Sequence, residues 1–451
     1  MQHLRKLLLI FTTALWPLRG VSIAEERSEP LVPIRTVVID DVVATNYATF
    51  FNVNQRVVET QDGIFTVYLK DTHDDLDQPP SRNHWILCRS TDRGYSFQPV
   101  YSEAEQGDTK IVRKGPEIIA DDVGNLYLIS CGNDYHVHVW KFLREDWGTP
   151  VYHVKNPIGG YAPKFSAILD PVSNQLIVMT AAFFMTIDPE TGLAAPQDIF
   201  QLLVEGEYGY PQYSFLTMNA SGRLYAGWHT TRRGENYYYD IHFAYADRRE
   251  KFQVWRSPLD HQMIGRPAKP IVCDHTGPAP MVNRQNEVAL DGSYTNGLNH
   301  LFYKGNALHF LHGGKCPEDS YVQSRYTRIN ASDPSNILRM TEPEFGGHQW
   351  RLEHSDGFFC SQDCRAETPL YLVSHRDNQI FVLKSADNGN TWTDYAASDY
   401  RSTPGRIYSV AGSFQLRRQG IIGVFTEVHP NPPHRLIFFQ VPVEVESCVN
   451  Q

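Results

Sequence analysis

The chain has no apolar run long enough to cross a membrane. A spanning helix needs roughly 20 apolar residues, and the most apolar stretch, Leu7 to Trp16, is about half that. There is no Ser/Gly-rich tract, no block of like charge and no low-complexity segment, so nothing in the sequence reads as a linker between domains. Amphipathic helical periodicity is also scarce, which argues against helical bundles and α/β folds. Basic residues are in deficit: 41 Lys and Arg against 51 Asp and Glu give a formal charge of −10. Nucleic acid and anionic membrane surfaces are therefore poor partners. A local cluster of Arg and His can still reverse the potential inside one cleft, so an anionic sugar is not excluded. The seven cysteines (Cys88, Cys131, Cys273, Cys316, Cys360, Cys364 and Cys448) contain a single Cys-x-x-x-Cys with no second pair at zinc-site spacing. No metal and no cofactor is expected from them, although in an oxidising compartment Cys360 and Cys364 could close a small loop.

The N-terminus carries an export signal. Arg5 and Lys6 precede the apolar run, and Ser22-Ile23-Ala24 supplies small residues before a cleavage point. Residues 1–24 read as a secretory signal peptide and the mature protein as secreted, extracellular or periplasmic. Cleavage would remove three basic residues and no acidic one, moving the formal charge to −13.

In residues 25–451, short runs rich in Val, Ile, Phe, Tyr and Leu alternate with Gly, Asn and Asp. This pattern belongs to an all-β fold. Seven times an apolar strand runs into such a turn and out into a second strand: at Asp62-Gly63, Gly124-Asn125, Ser173-Asn174, Ser221-Gly222, Gly305-Asn306, Asp356-Gly357 and Gln419-Gly420. Repeats at intervals of about 50 residues indicate a propeller or solenoid. A four-stranded blade cannot bury both faces alone and must stack radially. We expect one β-propeller domain of seven blades, with six as the alternative count. The Pro-rich stretch 258–280 reads as an insertion loop.

Two segments share one pattern. Residues 90–97, Ser90-Thr91-Asp92-Arg93-Gly94-Tyr95-Ser96-Phe97, and 385–392, Ser385-Ala386-Asp387-Asn388-Gly389-Asn390-Thr391-Trp392, both fit Ser-x-Asp-x-Gly-x-x-aromatic. The Asp can cap backbone amides, the Gly supplies a positive φ, and the aromatic packs beneath the blade. The pattern resembles the Asp box, or BNR repeat, of the sialidase superfamily. These are structural turns that mark no active site.

If the seven turns and both boxes share one face, the opposite face receives the inner-strand starts and the ends of the second strands. That face collects Asn54, Gln55, His73, Arg113, Lys114, Asp134, His136, Tyr161, Tyr210, His229, Arg232, Arg233, His312, His375, Arg376 and His429. Loops at such a rim carry function more often than cores do. Each residue has a plainer reading as well. His136 and His138 lie two apart in one strand, where a histidine can be a hydrogen-bonded core residue. Tyr210 precedes Pro211 at a strand start and can be structural, and Arg232-Arg233 can be a solvated loop.

The chain also resembles propeller polysaccharide lyases of the ulvan and rhamnose-glucuronate type, which share a Tyr-Pro strand start followed by a basic residue after the hairpin. Here Tyr210-Pro211 leads through Ser221-Gly222 to His229 and Arg232. Those lyases place one histidine before the second-blade hairpin and one after it; His136 matches the later position, and Lys114 stands at the earlier. The resemblance implies β-elimination on an acidic, uronic-acid glycan. Such a reaction needs a base, an acid for the leaving oxygen and a cation on the carboxylate. His136 and Tyr210 are the catalytic candidates. Lys114, His229, Arg232, Arg233, Arg376 and His73 are candidates for holding substrate. Two other functions remain open: a sialidase-like exo-glycosidase, for which the family's Arg-Ile-Pro appears here only in another order as Pro33-Ile34-Arg35, and a non-catalytic carbohydrate-binding propeller.

Overall fold

The computed structural model describes residues 30–43, 55–70, 84–103, 115–131, 134–159, 164–207, 209–231, 238–274, 277–282, 297–314, 323–333, 336–341, 344–345, 348–349, 357–363, 365–376, 378–399, 405–416, 421–429 and 435–443. The proposed signal peptide lies outside them. Among the described residues no helix is long and apolar enough to cross a membrane.

Seven antiparallel sheets follow one another along the chain, giving a seven-bladed β-propeller. Their innermost strands are Val57–Thr60, Glu117–Ala120, Phe165–Asp170, Tyr210–Met218, Leu298–Lys304, Gly357–Ser361 and Arg406–Gly412, which number the blades from 1 to 7. The strand Arg35–Asp40 pairs antiparallel with Arg435–Pro442 and supplies the outer strand of blade 7. Residues from the two ends of the chain thus close the ring within one blade, leaving no open edge between first and last.

Apolar residues fill the seams between blades. Trp85 of blade 1 meets Trp140 of blade 2 edge-on, ring centroids 5.2 Å apart, and both are fully buried. Buried backbone amides need partners, and around the centre these partners run from blade to blade. Glu117 accepts from the amides of Gln55 in blade 1 (3.3 Å) and Ala167 in blade 3 (2.7 Å). Ser166 Oγ accepts from Leu216 N in blade 4 (3.2 Å), and His229 Nδ1 from Leu298 N in blade 5 (2.9 Å). His300 Nδ1 accepts from Phe359 N in blade 6 (3.1 Å), and Phe414 O from Ser361 N (3.3 Å). Gln55 Oε1 accepts from Phe414 N (3.1 Å) and completes the circle.

Five of the expected hairpins join the first and second strands of blades 1 to 5. The sixth differs. Gly357 opens the inner strand of blade 6, Asp356 lying outside the described residues, and the first and second strands of that blade are joined across 362–369. Gly357 is needed for close packing: a Cβ there would lie 2.7 Å from Leu311 Cδ2 and 2.8 Å from the Val373 carbonyl oxygen. Gln419-Gly420 falls outside the described residues, between the first two strands of blade 7. The stretch 258–280 is more ordered than a plain insertion loop. It adds Met263–Gly265 to blade 4 and pairs Ile271–Cys273 in parallel with Leu203–Glu205. Cys360 is a free thiol buried in blade 6, not half of a loop-closing disulfide.

The two Ser-x-Asp-x-Gly segments join the third and fourth strands of blades 1 and 6. In each, one Asp oxygen accepts two amides: Tyr95 N and Ser96 N on Asp92 (3.0 and 2.9 Å), Asn390 N and Thr391 N on Asp387 (3.1 and 2.8 Å). Gly94 and Gly389 have φ of +82° and +83°. Phe97 packs on Phe438 of blade 7 and Trp392 on Tyr326 of blade 5, so each turn rests on the preceding blade.

Candidate functional site

The end of the propeller at which the inner strands begin also carries the loops between second and third strands. His136 and Tyr210 both lie at this end. His136 opens the third strand of blade 2 and is half-exposed. Tyr210 opens the inner strand of blade 4, opposite Thr231, and is half-buried. Among the described residues no hydrogen bond or ring contact joins the two. His73, Lys114, Arg232 and Arg233 lie outside the described residues. Arg376 ends the strand Leu370–Arg376, and its backbone alone is described.

His229 is 2% exposed, and its Nδ1 is occupied by the Leu298 amide. Burial, reinforced by the charge of Lys164, drives its pKa well below the ordinary imidazole value. It is a neutral imidazole protonated on Nε2 and fastens blade 4 to blade 5. We assign it no substrate contact.

Lys164, absent from the expected residues, also lies at this end. It immediately precedes the inner strand of blade 3 and reaches across the seam to blade 4. Its Nζ donates to Gln212 Oε1 and lies 3.8 Å from the centroid of the Tyr213 ring. A bulge in the inner strand of blade 4, between Gln212 and Phe215, makes this contact possible. Tyr213 there has φ +39°, and its ring packs against His229 at 5.1 Å. Bulges beside functional sites commonly re-aim a side chain in this way. Among the described residues no carboxylate pairs with Lys164, and the loss of water around it pushes its pKa down to about 7. The one signal in the sequence was a lysine between Pro163 and an apolar strand start.

A second cluster surrounds His136. The ring nitrogen Nδ1 lies 2.6 Å from the Asp134 carbonyl oxygen. A carbonyl can only accept, so Nδ1 carries the proton and Nε2 the lone pair when the ring is neutral. The Asp134 carboxylate lies 3.0 and 3.1 Å from His138 Nε2 and 3.2 Å from Lys155 Nζ. Burial alone would raise its pKa, but the hydrogen bond and charge of His138, with those of Lys155, hold it below the ordinary carboxylate value. His138 is 1% exposed, and its Nδ1 lies 3.0 Å from His153 Nε2. Removal from water, then the charges of His138 and Lys155, push His153 down to about 4. Of the two histidines in this strand, His138 is therefore the buried, bonded one and His136 faces the rim. Among the described residues no group of three or more His, Cys, Asp or Glu is arranged to hold a metal ion.

The fold and this end of it define a seven-bladed β-propeller with, on one face, a tautomer-fixed imidazole and a cation that no carboxylate pairs among the described residues. No known protein family matches the sequence, and no curated protein does. Similar solved structures include a protein of unknown function from Dyadobacter fermentans, at 12% identity over 91% of this chain and 99% of that one, TM-score 0.47. The polysaccharide lyase Uly1 is 12% identical over 86% of this chain and 77% of that one, TM-score 0.37. The sialidase of Trypanosoma rangeli is 9% identical over 90% of this chain but 58% of that one, TM-score 0.40. Likeness at this level concerns the fold and carries no argument about chemistry.

Proposed function

We propose that the protein is a secreted carbohydrate-active propeller that cleaves an acidic, uronic-acid glycan by β-elimination at the end bearing His136, Lys164 and Tyr210. The observation that carries this reading is Lys164, a half-buried ammonium facing an amide oxygen and an aromatic ring with no carboxylate beside it among the described residues. A charge in that setting is stabilised by an incoming anion, and the C5 carboxylate of a uronic acid is such a group. Lys164 then takes the neutralising role for which the sequence offered Lys114 and Arg232.

With the carboxylate neutralised, the proton on C5 becomes acidic. His136 Nε2 accepts that proton, and the C5–H electron pair forms the C4–C5 double bond. The C4–O4 bond breaks, and the Tyr210 phenol protonates the departing oxygen. His136 returns its proton to solvent and Tyr210 regains one, so the cycle closes. The two Ser-x-Asp-x-Gly turns, read as Asp boxes, take no part: they lie at the opposite end and act on blade packing.

Incubation with a panel of uronic-acid glycans, following absorbance of the unsaturated uronate, tests the proposal. Rising absorbance with chain shortening supports it. Release of reducing ends without absorbance means hydrolysis and overturns elimination. Binding without turnover on the whole panel reduces the protein to a carbohydrate-binding propeller.

A further inference from the structure

We propose that Asp134 and His138 are positioning residues for His136, clamping the loop so that the Asp134 carbonyl holds the Nδ1 proton and leaves Nε2 as the basic nitrogen. The inference rests on the reading of His136 as the base, but its geometry stands apart from any substrate. The carbonyl that fixes His136 belongs to the residue whose carboxylate is gripped by His138 and Lys155. Between Asp134 and His136, Tyr135 is held at φ +61° while half-exposed. A left-handed tyrosine is strained and persists only where its surroundings over-determine it. On one side the Asp134 side chain anchors it; on the other, the Tyr135 carbonyl accepts from Ile158 N at 2.9 Å.

The clamp has a defined order of donors. The Asp134 carboxylate accepts from His138 Nε2–H, so the Nδ1 of a neutral His138 accepts from His153 Nε2–H. Trp140 fixes the ring planes, stacking on His138 at 5.7 Å and 21° and on His153 at 4.3 Å and 12°. His138 is too buried to meet a sugar; it acts on the rim through Asp134 and the loop, and its ring also meets that of His136 edge-on at 6.4 Å.

The test reads the tautomer of His136 by long-range proton–nitrogen spectra of the full chain with 15N-labelled histidine, its signal assigned by its loss in His136→Ala. Wild type is expected to show His136 protonated on Nδ1 and His138 on Nε2. Asp134→Ala is expected to move His136 to a mixture dominated by the Nε2–H form and to lower kcat about 10- to 100-fold, as loss of an orienting partner does, with little change in KM. His138→Gln, which can still donate to Asp134, should keep the Nδ1–H form and most of kcat. Lys155→Met, an exposed change, should give an intermediate mixture even if Asp134→Ala fails to fold. A wild-type His136 protonated on Nε2, or Nδ1–H retained in Asp134→Ala or unmoved in Lys155→Met, overturns the clamp. If the tautomers behave as stated but the wild type eliminates no glycan, the clamp stands and the lyase reading falls.

Discussion

Lys164, just before the inner strand of blade 3, stands over the ring of Tyr213 in the inner strand of blade 4, Nζ 3.8 Å from the centroid. The ring face attracts the ammonium but cannot neutralise it, which leaves a charge to be completed from outside. Lys164→Met should lower affinity for an acidic oligosaccharide about 10- to 100-fold, the worth of a charge-assisted hydrogen bond of ~1.5–3 kcal/mol. Lys164→Arg should recover part of it. Titration calorimetry with a non-cleaved oligosaccharide measures both. Because the folded protein holds the Lys164 pKa near 7, the ammonium is fully present below that value. Wild-type affinity should therefore decline as pH rises through about 7, and the decline should vanish in Lys164→Met.

His136 is half-exposed, its Nδ1 donating to the Asp134 carbonyl at 2.6 Å and lying 3.5 Å from the Asp134 carboxylate. His136→Ala should leave the melting temperature nearly unchanged and reduce kcat by about 10²- to 10⁴-fold, the usual contribution of a general base. Tyr210→Phe should reduce kcat over the same range. Equal activity of either variant with wild type removes that residue from the mechanism.

Glu117 is buried and accepts amides from the blades on either side. Glu117→Ala leaves two interior N–H groups without their partner, each costing about 1–3 kcal/mol. The expected result is a clear fall in denaturant midpoint, larger than that for a surface change of the same size.

Asp170, fully buried, forms a bidentate pair with Arg248 of blade 4, both bonds at 2.5 Å. Desolvation raises the Asp170 pKa, yet the hydrogen bonds from Arg248, Ser173 and the Val172 amide, with the Arg248 charge, together outweigh it, and the folded value lies below the ordinary 3.8. The folded state thus binds the proton more weakly than the unfolded chain. The stabilisation is complete above pH about 4 and is lost as pH falls through the lower folded value. Asp170→Asn should destabilise at neutral pH by ~3–5 kcal/mol and should flatten the acid limb of the stability curve.

Gly389 sits at φ +83°, and a Cβ there would lie 2.0 Å from Tyr326 Oη. Gly389→Ala should destabilise blade 6 against blade 5 by more than the ~1 kcal/mol of left-handed backbone alone. Gly94→Ala in blade 1, where a Cβ would meet Phe438 of blade 7 at 2.5 Å, should behave likewise in a thermal melt.

Turn chemistry acts over four to eight residues, and there the sequence was sufficient. Asp92 with Gly94, Asp387 with Gly389, and the hairpins of blades 1 to 5 each contain their own hydrogen-bond partners, so period and blade number could be read along the chain. Where a glycine served packing instead of a turn, as Gly357 does against Leu311, local reading placed the hairpin wrongly. The alternation of strands assigns each loop to one end, which is where His136 and Tyr210 stand, while His73, Lys114, Arg232 and Arg233 lie outside the described residues. The individual roles of the rim residues were not legible. His229 became a fastener because its partner, Leu298, lies 69 residues away, and Lys164 stood out as a cation at this end because Gln212, 48 residues on, meets it across a seam. The meeting of Arg35–Asp40 with Arg435–Pro442 is likewise a product of closing the ring. Local hydrogen bonds are written in neighbouring residues, whereas burial, tautomer and charge balance are set by whichever blade comes alongside, and only the tertiary structure decided that.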